Sequence, residues 1–205
     1  PQTNDYVIDV CAAPGGKSIH VAEKLGGSGH VEARDLTPYK VGMIEENIER
    51  TGLLNIEAVC QDALVYDEGS REKADIVIAD LPCSGLGVLG KKTDLKYKAT
   101  KQGAAELAQM QREMLDVVCR YVKSGGKLLY STCTVNPAEN EENVRWFLET
   151  HPEFELADLR ECMKQWKPEA CEELLQAVSE EGWLQLLPGI HKSDGFFIAG
   201  LRKRK

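Results

Sequence analysis

The sequence predicts an α/β protein with a mostly parallel sheet, and three observations carry that prediction. Apolar strand patterns alternate with helical patterns along the chain, an order that favours strands joined by crossover helices over separate α and β layers. An apolar run, Val7-Ile8-Asp9-Val10, breaks into Cys11-Ala12-Ala13-Pro14-Gly15-Gly16-Lys17 and then enters a helical pattern. Strand, glycine turn and helix N-terminus together form the cradle in which such sheets hold nucleotide-like ligands. Acids also recur along successive strands: Asp9 lies within the first, and Asp35, Asp62 and Asp80 close the second, third and fourth. That edge is where open α/β sheets bind ligands.

Residues 6–11 are the expected first strand, and 17–25 a helix with Ile19, Val21, Ala22 and Leu25 as apolar positions, ended by Gly26-Gly27. Residues 29–34 read as a second strand, and Thr37-Pro38 opens a helix with Val41, Ile44 and Ile48 at helical spacing and Gly52 as its stop. Residues 55–60 are the third strand, and Ala74-Asp75-Ile76-Val77-Ile78-Ala79-Asp80 is the clearest buried one. The segment 82–101 has no periodicity, and a long irregular stretch in a compact domain is usually functional. Leu107, Met110, Met114, Val118 and Tyr121 define a long amphipathic helix capped by Gly125-Gly126, followed by a fifth strand at 127–132. Pro137 opens an acidic helix over 139–149, then come a strand at 153–158 and a helix at 169–180. Leu184–Leu187 and Phe196–Leu201 close the sheet as a hairpin.

At 205 residues the chain suits one domain with a substantial core. No apolar run approaches the ~20 residues of a membrane span, so no membrane partner is expected. No signal peptide is visible, and a start one strand before the glycine turn reads as a domain excised from a longer chain. Net charge is −8, distributed unevenly: residues 139–181 hold thirteen acids against four bases. By contrast 88–101 hold five lysines (Lys91, Lys92, Lys96, Lys98, Lys101) against Asp94 alone, and the tail Arg202-Lys203-Arg204-Lys205 is basic throughout. A solvated face explains each cluster; if phosphates are bound, these two basic clusters are where to look.

Seven cysteines, with no C-x-x-C pair and no histidine at ligand spacing, argue against zinc and a disulfide framework and for a reducing cytoplasm. No metal is expected. Cys11, Cys60 and Cys119 fall in strand or helix patterns and read as small buried hydrophobes, while Cys162 and Cys171 carry no signal. Cys83 and Cys133 differ: each follows a strand that should end at the ligand edge. Asp35 lies 19 residues beyond Gly16, close to the ~20-residue offset at which an acid meets a ribose hydroxyl. The glycine spacing is neither G-x-G-x-x-G nor G-x-x-x-x-G-K-[ST], so neither a dinucleotide nor a triphosphate is signalled.

Asp9–Lys17, then Asp80-Leu81-Pro82-Cys83-Ser84-Gly85-Leu86-Gly87, then Ser131-Thr132-Cys133-Thr134-Val135 resemble the RNA 5-methylcytosine methyltransferases, in the bacterial 16S ribosomal RNA branch. Pro137-Ala138-Glu139-Asn140-Glu141 and Asp194-Gly195-Phe196-Phe197-Ile198-Ala199 resemble further blocks of that family, in the same order. The resemblance implies a Rossmann-like S-adenosylmethionine-dependent methyltransferase fold. Its sheet would be mostly parallel and seven-stranded, with helices on both faces and an antiparallel strand near the C-terminus. It implies S-adenosylmethionine as cofactor, held by Cys11, Ala12, Ala13, Pro14, Gly15, Gly16 and Lys17, with Asp35 and Asp62 at ribose and adenine and Asp80 between donor and base. It further implies Cys133 as nucleophile, Cys83 as the group assisting product release, RNA-binding modules upstream, and a monomer acting on ribosomal RNA. Two departures stand out: Leu81 replaces the family's usual alanine, and Gly90-Lys91-Lys92-Thr93 replaces its arginine pair and proline, keeping charge but losing bidentate phosphate geometry. Lys91 and Lys92 are the RNA-binding candidates.

The chemistry accounts for two cysteines. Carbon 5 of cytosine becomes nucleophilic once a thiolate adds to carbon 6, which is covalent catalysis. Positive charge favours the thiolate, and Lys17 is the candidate source. Asp80 would hydrogen-bond or protonate the ring nitrogen as negative charge develops there, and Cys83, or a water it holds, would take the carbon-5 proton. A flipped or single-stranded cytosine is required. The rivals are a DNA cytosine-5 methyltransferase using Cys83 as nucleophile, a non-catalytic RNA-binding protein, and a nicotinamide dehydrogenase. A second cysteine after Ser131-Thr132, the survival of Lys17, Asp80, Cys83 and Cys133 together, and the glycine spacing disfavour them in turn.

Overall fold

A computed structural model of the chain describes residues 1–91, 100–163 and 174–205. Backbone packing divides the chain into two units, residues 1–80, 113–129 and 203–205, and residues 81–112 and 130–202.

The first unit is built on β1 (Tyr6–Asp9), β2 (His30–Asp35), β3 (Ile56–Cys60) and β4 (Ala74–Asp80), with helices α1 (Gly16–Leu25) and α2 (Pro38–Thr51). All three pairings are parallel: Tyr6 faces His30, Val7 faces Ile76 and Val31 faces Ile56. Central parallel strands are covered on both faces, which is why β1 reads as a nearly continuous apolar run. Val7, Val31, Ala33, Ile56 and Ile78 from the strands share one core with Ala22 and Leu25 of α1 and Ile44 of α2. Each of the larger side chains contributes on the order of 2 kcal/mol by leaving water. Helix α2 starts where expected: Pro38 sits in the first turn, Thr37 Oγ1 accepts from Lys40 N–H, and Gly52 ends the helix at φ +68°.

Helix α3 (Lys101–Val118) and strand β5 (Val122–Thr132) run from one unit into the other. The second unit adds α4 (Glu141–Thr150), β6 (Phe154–Ala157), α5 (Leu159–Met163), β7 (Leu184–Leu186) and β8 (Phe196–Lys203). The strands are hydrogen-bonded in the order β3-β2-β1-β4-β5-β8-β6, with β7 on β8.

Among the described residues the sheet therefore has eight strands, not the seven that the family resemblance implied. The reason lies in the unequal lengths of β8 and β6, eight residues against four. Ala157 of β6 lies beside Gly200, in the second half of β8. The first half keeps free edge groups, which β7 satisfies by antiparallel pairing of Leu184 with Ile198 through Leu186 with Phe196. This is the hairpin expected near the C-terminus.

Other boundaries moved for local reasons. Strand β5 begins at Val122 rather than Lys127, and Gly125-Gly126 lie inside it instead of capping a helix. A side chain on Gly126 would come within 3.0 Å of the Asp75 carbonyl, so this glycine marks close backbone approach within a sheet. Cys60, expected to be buried, is exposed at the end of the edge strand β3. Residues 169–173 of the expected helix lie outside the described residues.

Candidate active site

The glycine turn of the first unit is organised by two buried carboxylates. Asp35, at the end of β2, accepts from Ala13 N–H at 3.0 Å and from Leu36 N–H at 2.8 Å, and pairs with Lys40 at 3.0 Å. It thereby pins the turn between Cys11 and Gly15 to the start of α2. Gly15 begins α1 at φ +101°, a left-handed conformation that favours glycine, and no side chain caps the helix start. A Cβ on Gly16 would meet nothing within 4 Å, so the space beside the first free helix amides is open. An uncapped helix start beside open space, with the buried Asp35 carboxylate at its edge, fits a nucleoside-bearing cofactor.

Asp9 is the second carboxylate; the sequence placed it among the acids of the ligand edge but gave it no role of its own. It is buried, and its Oδ2 accepts from Ser18 Oγ at 2.6 Å, tying β1 to the first turn of α1. Burial pushes the Asp9 carboxyl up to about 6, against the hydrogen bond from Ser18 and the attraction of Lys17. A raised carboxylate binds its proton more tightly in the folded state than in the unfolded one. Its stabilising contribution is therefore full below about pH 4 and is lost as pH rises through 6. Asp9→Asn removes this titration, so the stability of the variant relative to the parent should rise by on the order of 2 kcal/mol from pH 4 to pH 7. Urea unfolding at both pH values reads this; a difference that does not change with pH would refute it.

Lys17 leaves the first turn of α1 half-exposed and reaches Asp80, the last residue of β4, at 2.5 Å. The structure thus pairs two of the four predicted catalytic side chains. Cys11, in the turn itself, is held protonated: burial, with Asp35 and Asp9 nearby, pushes its thiol up to about 12. Asp62 accepts from Leu64 N–H at 2.9 Å and so caps the turn after β3.

In the second unit the other two predicted residues meet. Cys83, after β4, and Cys133, directly after β5, are fifty residues apart in sequence, and their sulfurs are 3.1 Å apart. Cys133 N–H also approaches Cys83 Sγ at 3.3 Å, and the Cys133 carbonyl accepts from Gly87 N–H at 3.0 Å. The contact with Cys133, together with burial, pushes the Cys83 thiol up. Glu139 sits beneath both loops, wholly buried. Sequence reasoning gave it no role, because nothing in Pro137-Ala138-Glu139 distinguishes a buried acid from the solvated ones around it.

Of the two RNA candidates, Lys91 is exposed and pairs with Asp194 at 2.6 Å; Lys92 lies outside the described residues. Among the described residues no group of three or more His, Cys, Asp or Glu is arranged to hold a metal, and no helix is long and apolar enough to cross a membrane.

The mostly parallel sheet with flanking helices and a glycine turn opening α1 is a Rossmann-like fold, and its relatives make it that of the methyltransferases that use S-adenosylmethionine. Within that class the chain belongs to the 16S rRNA methyltransferase RsmB/F family, whose model matches residues 1–202. It is 40% identical over its whole length to the probable ribosomal RNA small subunit methyltransferase B of Bacillus subtilis, covering 44% of that protein. Over 96% of its length it is 36% identical to ribosomal RNA small subunit methyltransferase F of Escherichia coli O157:H7, covering 40% of it. The chain thus spans less than half the length of these curated relatives. Among solved structures, NSun6 from Pyrococcus horikoshii with SFG superimposes with a TM-score of 0.83 at 32% identity, over 100% of this chain and 49% of that one. A methyltransferase homolog from the same organism superimposes with a TM-score of 0.78 at 30% identity, over 99% and 63%.

Proposed function

We propose that the chain is the catalytic domain of an RNA (cytosine-5)-methyltransferase, acting on ribosomal RNA through a covalent cysteine adduct at carbon 6 of the base. The observation that carries this reading is the thiol pair. Methyl transfer to an oxygen or an exocyclic nitrogen needs no cysteine, whereas transfer to carbon 5 needs a nucleophile at carbon 6 and a second group to clear the proton from carbon 5. S-adenosylmethionine, when bound, supplies a methyl group on an electron-poor sulfonium.

In this reading Cys133, as thiolate, adds to carbon 6 and leaves when the product forms. Cys83, or a water it holds, takes the carbon-5 proton; the resulting electron pair restores the 5,6 double bond and expels the Cys133 sulfur. Asp80, as the carboxylic acid, hydrogen-bonds or protonates the ring nitrogen as negative charge develops there, and its contact with Lys17 orients it. Lys91 and Lys92 meet phosphates, Lys91 exchanging its bond to Asp194 for one to RNA. Cysteines used as thiols suit the reducing cytoplasm.

The test is the position of the transferred methyl group. After incubation of the chain with cytosine-containing RNA and methyl-labelled S-adenosylmethionine, nuclease digestion should place the label in 5-methylcytidine. Label in any other nucleoside would overturn the reading.

A further inference from the structure

The second unit contains a buried carboxylate for which the chemistry above has no use. Glu139 is wholly buried, and burying a carboxylate is costly unless its oxygens are hydrogen-bonded. They are. Oε1 accepts from Ser84 Oγ at 2.5 Å and from Asn136 Nδ2 at 2.9 Å. Oε2 accepts from Ser84 N–H at 2.8 Å and from Gln111 Nε2 at 3.1 Å. All four donors are neutral, so the carboxylate is not half of an ion pair.

These four bonds converge on the loops that carry the two cysteines. Ser84 follows Cys83, and Gln111 Nε2 also donates to the carbonyl of Pro82, which precedes it, at 2.8 Å. Cys83 is therefore gripped on both sides. On the other loop, Asn136 N–H donates to Thr134 Oγ1 at 3.2 Å, and Thr134 follows Cys133. The two loops are bonded directly as well, Ser84 Oγ to Thr134 Oγ1 at 2.8 Å. The clamp is rooted in the core: Tyr130 of β5 donates to the Glu139 carbonyl, and Asn143 of α4 donates to Gln111 Oε1 at 2.9 Å.

We infer that Glu139 is the positioning residue of the thiol pair, its carboxylate holding the Cys83 and Cys133 loops at the spacing their chemistry needs. A carboxylate is required because each oxygen must accept two bonds at once, without presenting a proton to any of four donors. Glutamine keeps one oxygen but turns an NH2 towards two of the donors, and alanine leaves all four unmet. The inference rests on the roles proposed above for the two cysteines. Their spacing, however, can be read without any RNA.

The experiment compares the parent chain with Glu139→Gln, Glu139→Ala and the exposed control Glu142→Gln. Diamide removes two electrons and two protons from a pair of thiols, joining them as a disulfide. Peptide mass analysis then gives the rate at which Cys83 and Cys133 are joined. The expected result is at least a tenfold slower closure in Glu139→Ala, an intermediate rate in Glu139→Gln and no change in the control. S-adenosylmethionine binding, measured by calorimetry, should be retained throughout, which shows that the variants are folded. In methyl transfer, kcat should fall in the same order while both KM values hold. If Glu139→Ala does not fold, Glu139→Gln carries the comparison. Parent-like closure and parent-like kcat in the folded glutamine and alanine variants overturn the inference. A parent chain that labels no cytosine defeats the proposed function instead, and the closure rates still decide the role of Glu139.

Discussion

Cys133→Ser should abolish methyl transfer, and Cys83→Ser should leave RNA covalently attached to the protein. The two outcomes follow from the different tasks of two identical side chains. A serine at 133 is far too weakly acidic to attack carbon 6, so neither adduct nor product forms and the rate falls by roughly 10⁴-fold or more. A serine at 83 leaves the attack and the methylation untouched but slows removal of the carbon-5 proton, the step that frees Cys133. The adduct then accumulates and appears as a band of retarded mobility in denaturing gels after incubation with cytosine-containing RNA and S-adenosylmethionine. Trapping by Cys133→Ser but not by Cys83→Ser would move the nucleophile to Cys83 and end this assignment.

Gly87→Ala should be the most damaging single-methyl change near the site. The reason is space, since Gly87 is not among the glycines with positive φ. A Cβ there would stand 2.3 Å from the Gly195 carbonyl oxygen and 2.7 Å from that of Cys133. Both are backbone atoms, and neither can swing away. Gly87 N–H donates to the Cys133 carbonyl at 3.0 Å and its own carbonyl accepts from Gly195 N–H at 2.8 Å, so relief of the clash breaks bonds on both sides. The expected cost is about 2–4 kcal/mol. Methyl transfer should fall by about 10²-fold, because displacement of Cys133 by a fraction of an ångström spoils its approach to the base. Gly90→Ala is the matched control: a Cβ at Gly90 meets nothing within 4 Å. Urea unfolding and methylation assays on both variants check the pair, and equal stability and activity would show that the loop absorbs the methyl group.

Much of this was legible in the residues because the signals are local. Thr37-Pro38 and Gly52 mark the two ends of α2 by capping chemistry that depends only on neighbours. Val7-Ile8 declares a strand buried on both faces, and Gly15 announces the left-handed start of α1. The site residues were legible for a related reason: Cys83 and Cys133 each follow a recognisable strand, and parallel strands of one sheet end on the same edge. Glu139 was not legible. Its type and its acidic surroundings describe a solvated helix start, and only burial under the two loops turns it into an acceptor for four donors. Gly125-Gly126 misled because a glycine pair ends a helix as readily as it permits close approach in a strand.

The sequence by itself determined the α/β alternation and the cofactor turn, since each is written in spacing and residue type over a few consecutive positions. Tertiary structure alone decided the pairing of Lys17 with Asp80 and the 3.1 Å meeting of Cys83 with Cys133. It also decided the buried acceptor beneath them. Those features join residues up to sixty-three positions apart, and such joins follow from which loops share an edge and which polar atoms are left to satisfy there, neither of which any short stretch of chain records.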